Sequence, residues 1–176
     1  LRKFLGVVGC CRLWIESYAQ KTKRLYLKLL DGEPNILEWT AEEKQLIEEL
    51  KQSLITVPVL ALPALNKPFQ LFVTVDQGAA LGVLTQEWGD KRQPVAYLSK
   101  LLDPVSQGWP QCIQAVAATA LLAEESRKIT FGRRLVVTAP HQVKTILTQK
   151  AGRCLTDLPK PSHFLVEGGE ERGKYR

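Results

Sequence analysis

Acidic residues are the groups in this sequence that could do chemistry. Several carboxylates together can hold the two divalent ions, about 4 Å apart, that many phosphoryl-transfer enzymes use. The sequence contains no adjacent pair of aspartates, and it has no acid from Gln111 to Ala123 or from Ser126 to Thr156. Asp76 follows a run of β-forming residues and is expected to end a strand or begin a turn. The spacing of the acids therefore predicts neither a catalytic carboxylate cluster nor a metal site.

Histidine and cysteine supply no site in its place. His141 follows a proline where a helix is expected to begin, which favours a capping or surface position, and His163 lies in the C-terminal segment. The cysteines form no C-x-x-C pair, so we expect reduced thiols, and no zinc site, disulfide framework or other cofactor, at Cys10, Cys11, Cys112 and Cys154. Reduced thiols are typical of the cytosol or nucleus, so we expect an intracellular protein. No apolar run approaches the roughly 18 residues that span a bilayer, so we expect no membrane partner.

The basic residues are concentrated in two zones. Residues 1–30 carry seven basic residues against Glu16 alone, and residues 127–150 carry six basic residues and no acid, whereas residues 31–54 are mainly acidic. Two basic zones favour a polyanion that touches two separate surfaces. An ordinary solvated surface with uneven charge is the alternative, and charge alone does not decide between the two.

Apolar spacing predicts a small helical unit over residues 1–54. A first amphipathic helix follows from apolar residues at three- and four-residue spacing, namely Leu1, Phe4, Leu5, Val8 and Ile15. Gly6 and Gly9 lie inside it and cost roughly 1 kcal/mol each relative to alanine, which is tolerated where something must approach the backbone closely. A second helix is expected over residues 18–30. A capping box of Thr40 and Glu43 opens a third, which runs to about Leu54.

The periodicity changes after residue 54. Residues 55–68 predict a proline-rich, extended connector. Beyond it we expect strands over residues 69–75, 80–86 and 93–98, a long helix over 110–125, a strand over 135–138 and a short helix over 142–147. This β-β-β-α-β-α order predicts an α/β (α+β) domain with a mixed sheet over residues 69–150. Residues 151–176, which mix proline and glycine with charge, predict a disordered tail.

Several motifs in one register resemble a known family. Segments 1–6 (LRKFLG) and 11–15 (CRLWI) resemble the opening of the thumb of gammaretrovirus-like reverse transcriptases. Segments 81–86 (LGVLTQ), 94–100 (PVAYLSK) and 108–110 (GWP) resemble the connection subdomain of the same polymerases. The agreement covers about residues 1–150. It implies a thumb-like unit followed by a ribonuclease H-like (RNase H-like) domain, from the Pol sequence of an endogenous retrovirus or related retroelement.

The resemblance also implies partners and an origin. The partner would be an RNA/DNA or DNA duplex, together with the remaining polymerase and RNase H domains. Since the sequence starts at Leu1 and contains no methionine, we expect a fragment or a processed product.

The resemblance further implies which acids an active relative would need. When the chain is aligned with the family on residues 81–86, the first-strand aspartate of an active RNase H falls at Thr74. The fourth-strand aspartate falls around Ala139 and Pro140. The glutamate that active relatives carry early in the long helix has no counterpart here. The aspartate pair of the polymerase palm is also missing. The connection subdomain is an RNase H-like fold without catalysis, so no catalytic residue is predicted. An active ribonuclease, with Asp76 as a remnant ligand on the strand face of Thr74, is the alternative.

In the family the first thumb helix lies along the template–primer duplex, where small residues admit the minor groove and basic residues meet phosphate. The residues that occupy the matching stretch are Arg2, Lys3, Gly6, Gly9 and Arg12. Such contacts give affinity without sequence preference. Trp14 either stacks on nucleic acid or packs in a core. Arg133 and Arg134, which follow Gly132, are either a further phosphate contact or a solvated turn.

Three functions follow as hypotheses. The first is a non-catalytic thumb-plus-connection module that grips a duplex and links the polymerase and nuclease halves. The second is a domesticated or decayed retroviral fragment that acts as a protein-interaction domain or has no function. The third is an active ribonuclease H. Duplex binding that does not weaken with salt would contradict the first, and hybrid cleavage that disappears on Asp76→Asn would support the third.

Overall fold

The computed structural model describes residues 1–30, 39–56 and 58–140, together with the backbone of residues 164–169. Its helices are α1 (Arg2–Cys10), α2 (Tyr18–Leu30), α3 (Ala41–Ile55), α4 (Pro104–Gln107) and α5 (Gln111–Thr130), with a short 3₁₀ helix over Arg12–Trp14. Its strands are β1 (Phe69–Asp76), β2 (Ala79–Trp88), β3 (Lys91–Leu101), β4 (Leu135–Pro140) and β5 (Phe164–Gly169). Within these ranges no helix is long and apolar enough to cross a membrane.

Helices α1 to α3 form a helical unit with a core of its own. Its fully buried side chains are Leu5, Val8, Ile15, Leu25 and Leu50. The predicted capping box opens α3: Thr40 Oγ1 accepts a hydrogen bond from the backbone N–H of Glu43 at 3.2 Å, and the Glu43 carboxylate accepts one from the backbone N–H of Thr40 at 3.0 Å. These bonds satisfy two amides that a helix start leaves without a partner. The second and third predicted helices are therefore confirmed.

The strands form one mixed sheet in the order β3-β2-β1-β4-β5. β1, β2 and β3 run antiparallel as a meander, and β4 lies parallel to β1 because α5 carries the chain back across the sheet. Phe69, Leu71 and Val73 alternate along β1 and are buried in the core under α5. Gly82 on β2 permits close approach of α5, since a methyl group there would lie 2.9 Å from Cδ1 of Leu122. The predicted fold class is confirmed.

Asp76 ends β1, as predicted. The chain then turns through Gln77 and Gly78, whose φ angles of 47° and 73° are both in the left-handed region, as a two-residue type I′ hairpin requires. Asp76 pairs with Ala79 across this turn. Its carboxylate oxygen Oδ2 accepts a hydrogen bond from the side-chain amide of Gln20 on α2 at 3.2 Å. Asp76 is therefore a turn residue that also contacts the helical unit.

Gln86 on β2 attaches the connector to the sheet. Its fully buried side-chain amide donates to the backbone oxygens of Ala64 at 2.8 Å and Lys67 at 3.2 Å, and it accepts from the backbone N–H of Ala64 at 2.8 Å. The backbone N–H of Ala61 donates to the backbone oxygen of Pro94 on β3 at 2.8 Å. The connector therefore lies along the sheet in a fixed position.

Two helical features extend beyond the prediction. Asp103 caps α4, because its Oδ1 accepts from the backbone N–H groups of Val105 and Ser106, both at 3.0 Å. A helical turn therefore begins at Pro104, between the predicted third strand and the predicted long helix. Helix α5 continues past Glu125 to Thr130, and it ends where φ becomes positive.

Strand β5 contradicts part of the disordered tail predicted over residues 151–176. Its backbone pairs with β4 in parallel register, from Leu135 opposite Phe164 to Pro140 opposite Gly169. The disordered tail was predicted from the proline, glycine and charge of the whole segment, and this average composition did not reveal a short β-prone run at its centre. The helix predicted over residues 142–147, and the rest of the tail, lie outside the described residues.

Candidate nucleic-acid interface

One face of α1 is exposed along the length of the helix. Its exposed residues are Arg2, Lys3, Gly6, Val7 and Cys10. These positions share a face because residues three and four apart stack along a helix, and the opposite face is buried. The helix therefore presents two cations in its first turn and a backbone segment with little side-chain cover at Gly6.

The two glycines of α1 have different surroundings. Among the described residues, a methyl group at Gly6 would meet no atom within 4 Å, whereas one at Gly9 would lie 3.3 Å from the hydroxyl oxygen of Tyr18. Packing within the chain thus gives a reason for glycine at position 9. It gives none at position 6, where the glycine costs helix stability without an internal benefit.

Arg12 lies in the 3₁₀ helix after α1, and its guanidinium faces the second domain. Its Nη2 is 3.5 Å from the carboxylate of Glu125 on α5, which Lys100 and Lys128 also approach, at 2.7 and 3.0 Å. Burial alone raises the pKa of the Glu125 carboxyl, but the hydrogen bonds and charges of the two lysines outweigh it and hold that pKa below its usual value. Arg12 thus forms an ion pair between the helical unit and the sheet domain, and its side chain is still half exposed.

Arg133 and Arg134 are exposed in the turn between α5 and β4. Arg134 lies beside the start of β1, because its backbone oxygen accepts from the backbone N–H of Phe69 at 3.1 Å. The helical unit instead contacts the end of β3, where the Ser99 hydroxyl accepts from a backbone N–H of α2. Three strand spacings and most of a strand length separate these corners, a distance on the order of 20 Å. The structure therefore brings Arg2, Lys3 and Gly6 together on one face but leaves this arginine pair on a separate surface.

Trp14 is exposed to 39 % and belongs to none of the three hydrophobic clusters of the described residues. Of the two alternatives that the sequence left open, packing in a core is therefore wrong for this tryptophan. Its neighbour Leu13 packs instead against the core of the sheet domain. Trp14 is available for contact on the same unit as the exposed face of α1.

The positions that the resemblance assigned to catalytic acids hold neutral side chains. Thr74 is exposed on β1, and Ala139 is buried in β4. In the described part of the chain, no group of three or more His, Cys, Asp or Glu residues could hold a metal ion. Asp103, which precedes α5, caps α4, and the two acids of α5 pair with cations: Glu124 with Arg127, and Glu125 with the residues described above.

The structure contains a groove of about 460 Å³ between α2 and β3 that was not predicted from the sequence. Its walls include Tyr18, Lys23, Tyr26 and Leu27 from α2, and Tyr97, Lys100 and Leu101 from β3. The lining residues of α2 recur at three- and four-residue spacing, which is the signal that could have indicated an unfilled helix face.

The fold and the positions of these residues define the class of protein: a helical unit followed by an RNase H-like α/β domain. Residues 39–137 match the family model of the RNase H-like domain found in reverse transcriptase. The match covers more than half of the chain. The chain therefore belongs to this family, and the resemblance drawn from its motifs is confirmed.

Viral polyproteins are similar to nearly the whole chain. The Gag-Pol polyprotein of avian reticuloendotheliosis virus is 46% identical over 157 residues, which are 89% of this chain and 14% of that protein. The Gag-Pol polyprotein of gibbon ape leukemia virus is 46% identical over 164 residues, which are 93% of this chain and 10% of that protein. The chain thus spans between about a tenth and a seventh of the length of these relatives.

Solved structures of distant sequence share the fold. The foamy viral protease–reverse transcriptase dRH in complex with double-stranded DNA matches with a TM-score of 0.79 at 13% identity, over 99% of this chain and 32% of that one. The foamy viral enzyme in complex with an RNA/DNA hybrid matches with a TM-score of 0.74 at 14% identity, over 99% and 26%. At this identity the likeness shows the fold alone.

Proposed function

We propose that this chain is a non-catalytic thumb-and-connection segment of a retroviral-type reverse transcriptase. It holds the template–primer duplex and links the polymerase and RNase H parts of a longer protein. The observation that carries the proposal is the exposed face of α1. Complexes of the structurally similar foamy viral enzyme with DNA and with an RNA/DNA hybrid support a duplex as the ligand.

The face of α1 breaks two local rules of helix stability. Arg2 and Lys3 lie in the first turn, where the helix dipole favours acids, and that turn contains no acid. Gly6 destabilises the helix relative to alanine, although a methyl group at this position would have room among the described residues. Both features become useful when a polyanion lies against the helix, because the cations meet phosphates and the missing side chain lets a groove edge approach the backbone. Departures of this kind are expected at functional sites.

The other proposed binding residues have graded roles. Arg12 meets phosphate with the exposed part of a guanidinium that also pairs with Glu125. Gly9 mainly accommodates Tyr18, so its contribution to binding is indirect. Arg133 and Arg134 would form a second phosphate contact, on the separate surface that the two basic zones of the sequence suggested.

The lack of catalysis is supported by the residues at the expected acid positions. Thr74 and Ala139 cannot bind a divalent ion with a carboxylate, and Asp76 contacts the helical unit. One carboxylate cannot hold two ions about 4 Å apart. The sheet then serves as a scaffold that positions the thumb-like unit.

Fluorescence anisotropy with a labelled RNA/DNA hybrid over a salt series tests the duplex-binding role. Each of Arg2→Ala and Lys3→Ala should weaken binding and reduce the log–log salt slope by about 0.9, the amount expected for one lost phosphate contact. Lys51→Ala is the matched control, because it removes an exposed cation of α3 that pairs with Glu48. If the hybrid binds equally well at all salt concentrations and in both α1 variants, the α1 face does not hold it, and this role is contradicted. Such a result would favour a fragment that has no nucleic-acid partner in its function.

A separate assay tests the absence of catalysis. The purified chain is incubated with a labelled RNA/DNA hybrid and magnesium or manganese. We expect the RNA strand to remain intact. Cleavage that is lost in Asp76→Asn would establish the ribonuclease alternative instead.

A further inference from the structure

The groove between α2 and β3 lies apart from the exposed face of α1, whose residues do not line it. It is formed where the helical unit meets the sheet domain, and domain boundaries are frequent places for ligand sites. Its volume of about 460 Å³ is within the usual range for such sites. The chemistry of its walls indicates what it binds.

Three tyrosines line the groove. The hydroxyl oxygens of Tyr18 and Tyr26, both on α2, are 3.2 Å apart, and Tyr97 lines the groove from β3. Tyr26 is 44 % exposed, and the adjacent Leu27 is 49 % exposed. Large apolar surfaces of this kind, open to solvent in a groove, are the platforms on which unpaired bases stack.

Cations line the groove beside these rings. Arg12, Lys23 and Lys100 contribute three positive charges to the lining, which also contains the carboxylate of Glu125. A second carboxylate, that of Glu16, lies close enough to Tyr97 to help raise the pKa of that tyrosine, after the larger effect of its burial. The Glu125 carboxylate is itself held by Lys100 at 2.7 Å and by Lys128 at 3.0 Å. The wall is therefore electropositive next to its aromatic surface, which complements an anion with flat apolar parts.

We propose that the α2–β3 groove binds single-stranded nucleic acid. Unpaired bases stack on Tyr26 and its aromatic neighbours, while the phosphates meet Lys23 and the half-exposed side chains of Arg12 and Lys100. The source is an unpaired strand continuous with the duplex on α1, and in this respect the inference rests on the proposed function. The groove gives the segment a second site for the same polyanion, and Arg12, which lines the groove, is the residue that both sites share.

Anisotropy of a fluorescein-labelled oligo(dT) tests the groove directly. Tyr26→Leu should weaken its binding roughly five-fold or more, the loss expected for one stacked base. Tyr26→Phe keeps the ring and should retain the affinity, which separates stacking from folding. Melting of both variants, followed by circular dichroism, checks that the helical unit remains intact.

A second pair of variants, one test and one control, examines the positive charge of the groove. Lys23→Ala should reduce the log–log salt slope for oligo(dT) by about 0.7. Arg24→Ala removes the next cation of α2, which lies outside the groove and pairs with Glu42, and should leave the slope unchanged. Neither Lys23→Ala nor Tyr26→Leu should alter the binding of a blunt RNA/DNA hybrid.

Two results would overturn the inference. If Lys3→Ala weakens oligo(dT) binding while the groove variants do not, the single strand binds at α1. If the groove variants abolish binding of an acidic, leucine-rich peptide and leave oligo(dT) unaffected, the groove is a peptide site. Failure of the blunt hybrid to bind, with oligo(dT) still dependent on Tyr26, would instead remove the duplex function and leave this site standing.

Discussion

Gly6→Ala separates stability from duplex binding in a single substitution. The glycine lies inside α1, where alanine is favoured by about 0.8–1.0 kcal/mol. The added methyl group meets no atom of the described part of the chain within 4 Å, so no steric cost from that part reduces the gain. For a chain of this size a gain of about 1 kcal/mol raises Tm by roughly 2–4 °C.

The same methyl group should weaken duplex binding, because it would stand between the helix backbone and the groove edge. The assay pairs thermal melting with anisotropy of a labelled RNA/DNA hybrid on one preparation of each variant. Gly9→Ala is the control: its methyl group would lie 3.3 Å from the Tyr18 hydroxyl, so its gain in Tm should be smaller.

Each half of this expectation can fail separately. A Tm that falls in Gly6→Ala would mean that position 6 is packed, contrary to the exposed helix face. Unchanged hybrid affinity in a stabilised Gly6→Ala would mean that the duplex does not contact this face, and the proposed grip would be wrong.

Three further predictions concern the scaffold. Gly82→Ala should lower stability by roughly 1–3 kcal/mol through overpacking, since its methyl group would lie 2.9 Å from a side chain of α5; an unchanged midpoint in urea would contradict this packing. Thr40→Ala should cost about 1 kcal/mol by removing the α3 cap, and a wild-type urea midpoint would exclude that cap. Burial raises the pKa of Glu125 but Lys100 outweighs it, so the carboxylate stabilises the fold above its unfolded pKa of about 4.3. This contribution should disappear as the pH falls through the lower folded pKa, and Glu125→Gln should flatten the pH dependence of Tm below the unfolded pKa; identical profiles would contradict the ion pair.

Local signals predicted much of the fold. The capping box located the start of α3, and Asp76 was placed correctly because it directly follows a run of β-forming residues, a pattern that needs no knowledge of the rest of the chain. The same run, over residues 69–75, identified β1. Strand β5 was missed because its partner, β4, lies more than twenty residues earlier, and a short run cannot reveal such pairing.

The candidate site was less predictable because the roles of its residues depend on tertiary contacts. Gly6 and Gly9 look equivalent in the sequence, and only the position of Tyr18 separates them. The ion-pair partner of Arg12 is 113 residues away on α5. The α2–β3 groove likewise exists only where two units meet, so no single segment could show that its walls combine aromatic and cationic residues.

Recovery of a labelled RNA/DNA hybrid from its complex with the chain, in magnesium and at low salt, tests the central claim most directly. We predict a hybrid that is bound, released by raised salt, and recovered with its RNA strand at full length. A shortened RNA strand, or a hybrid that never binds, would contradict a segment that grips the duplex without cutting it.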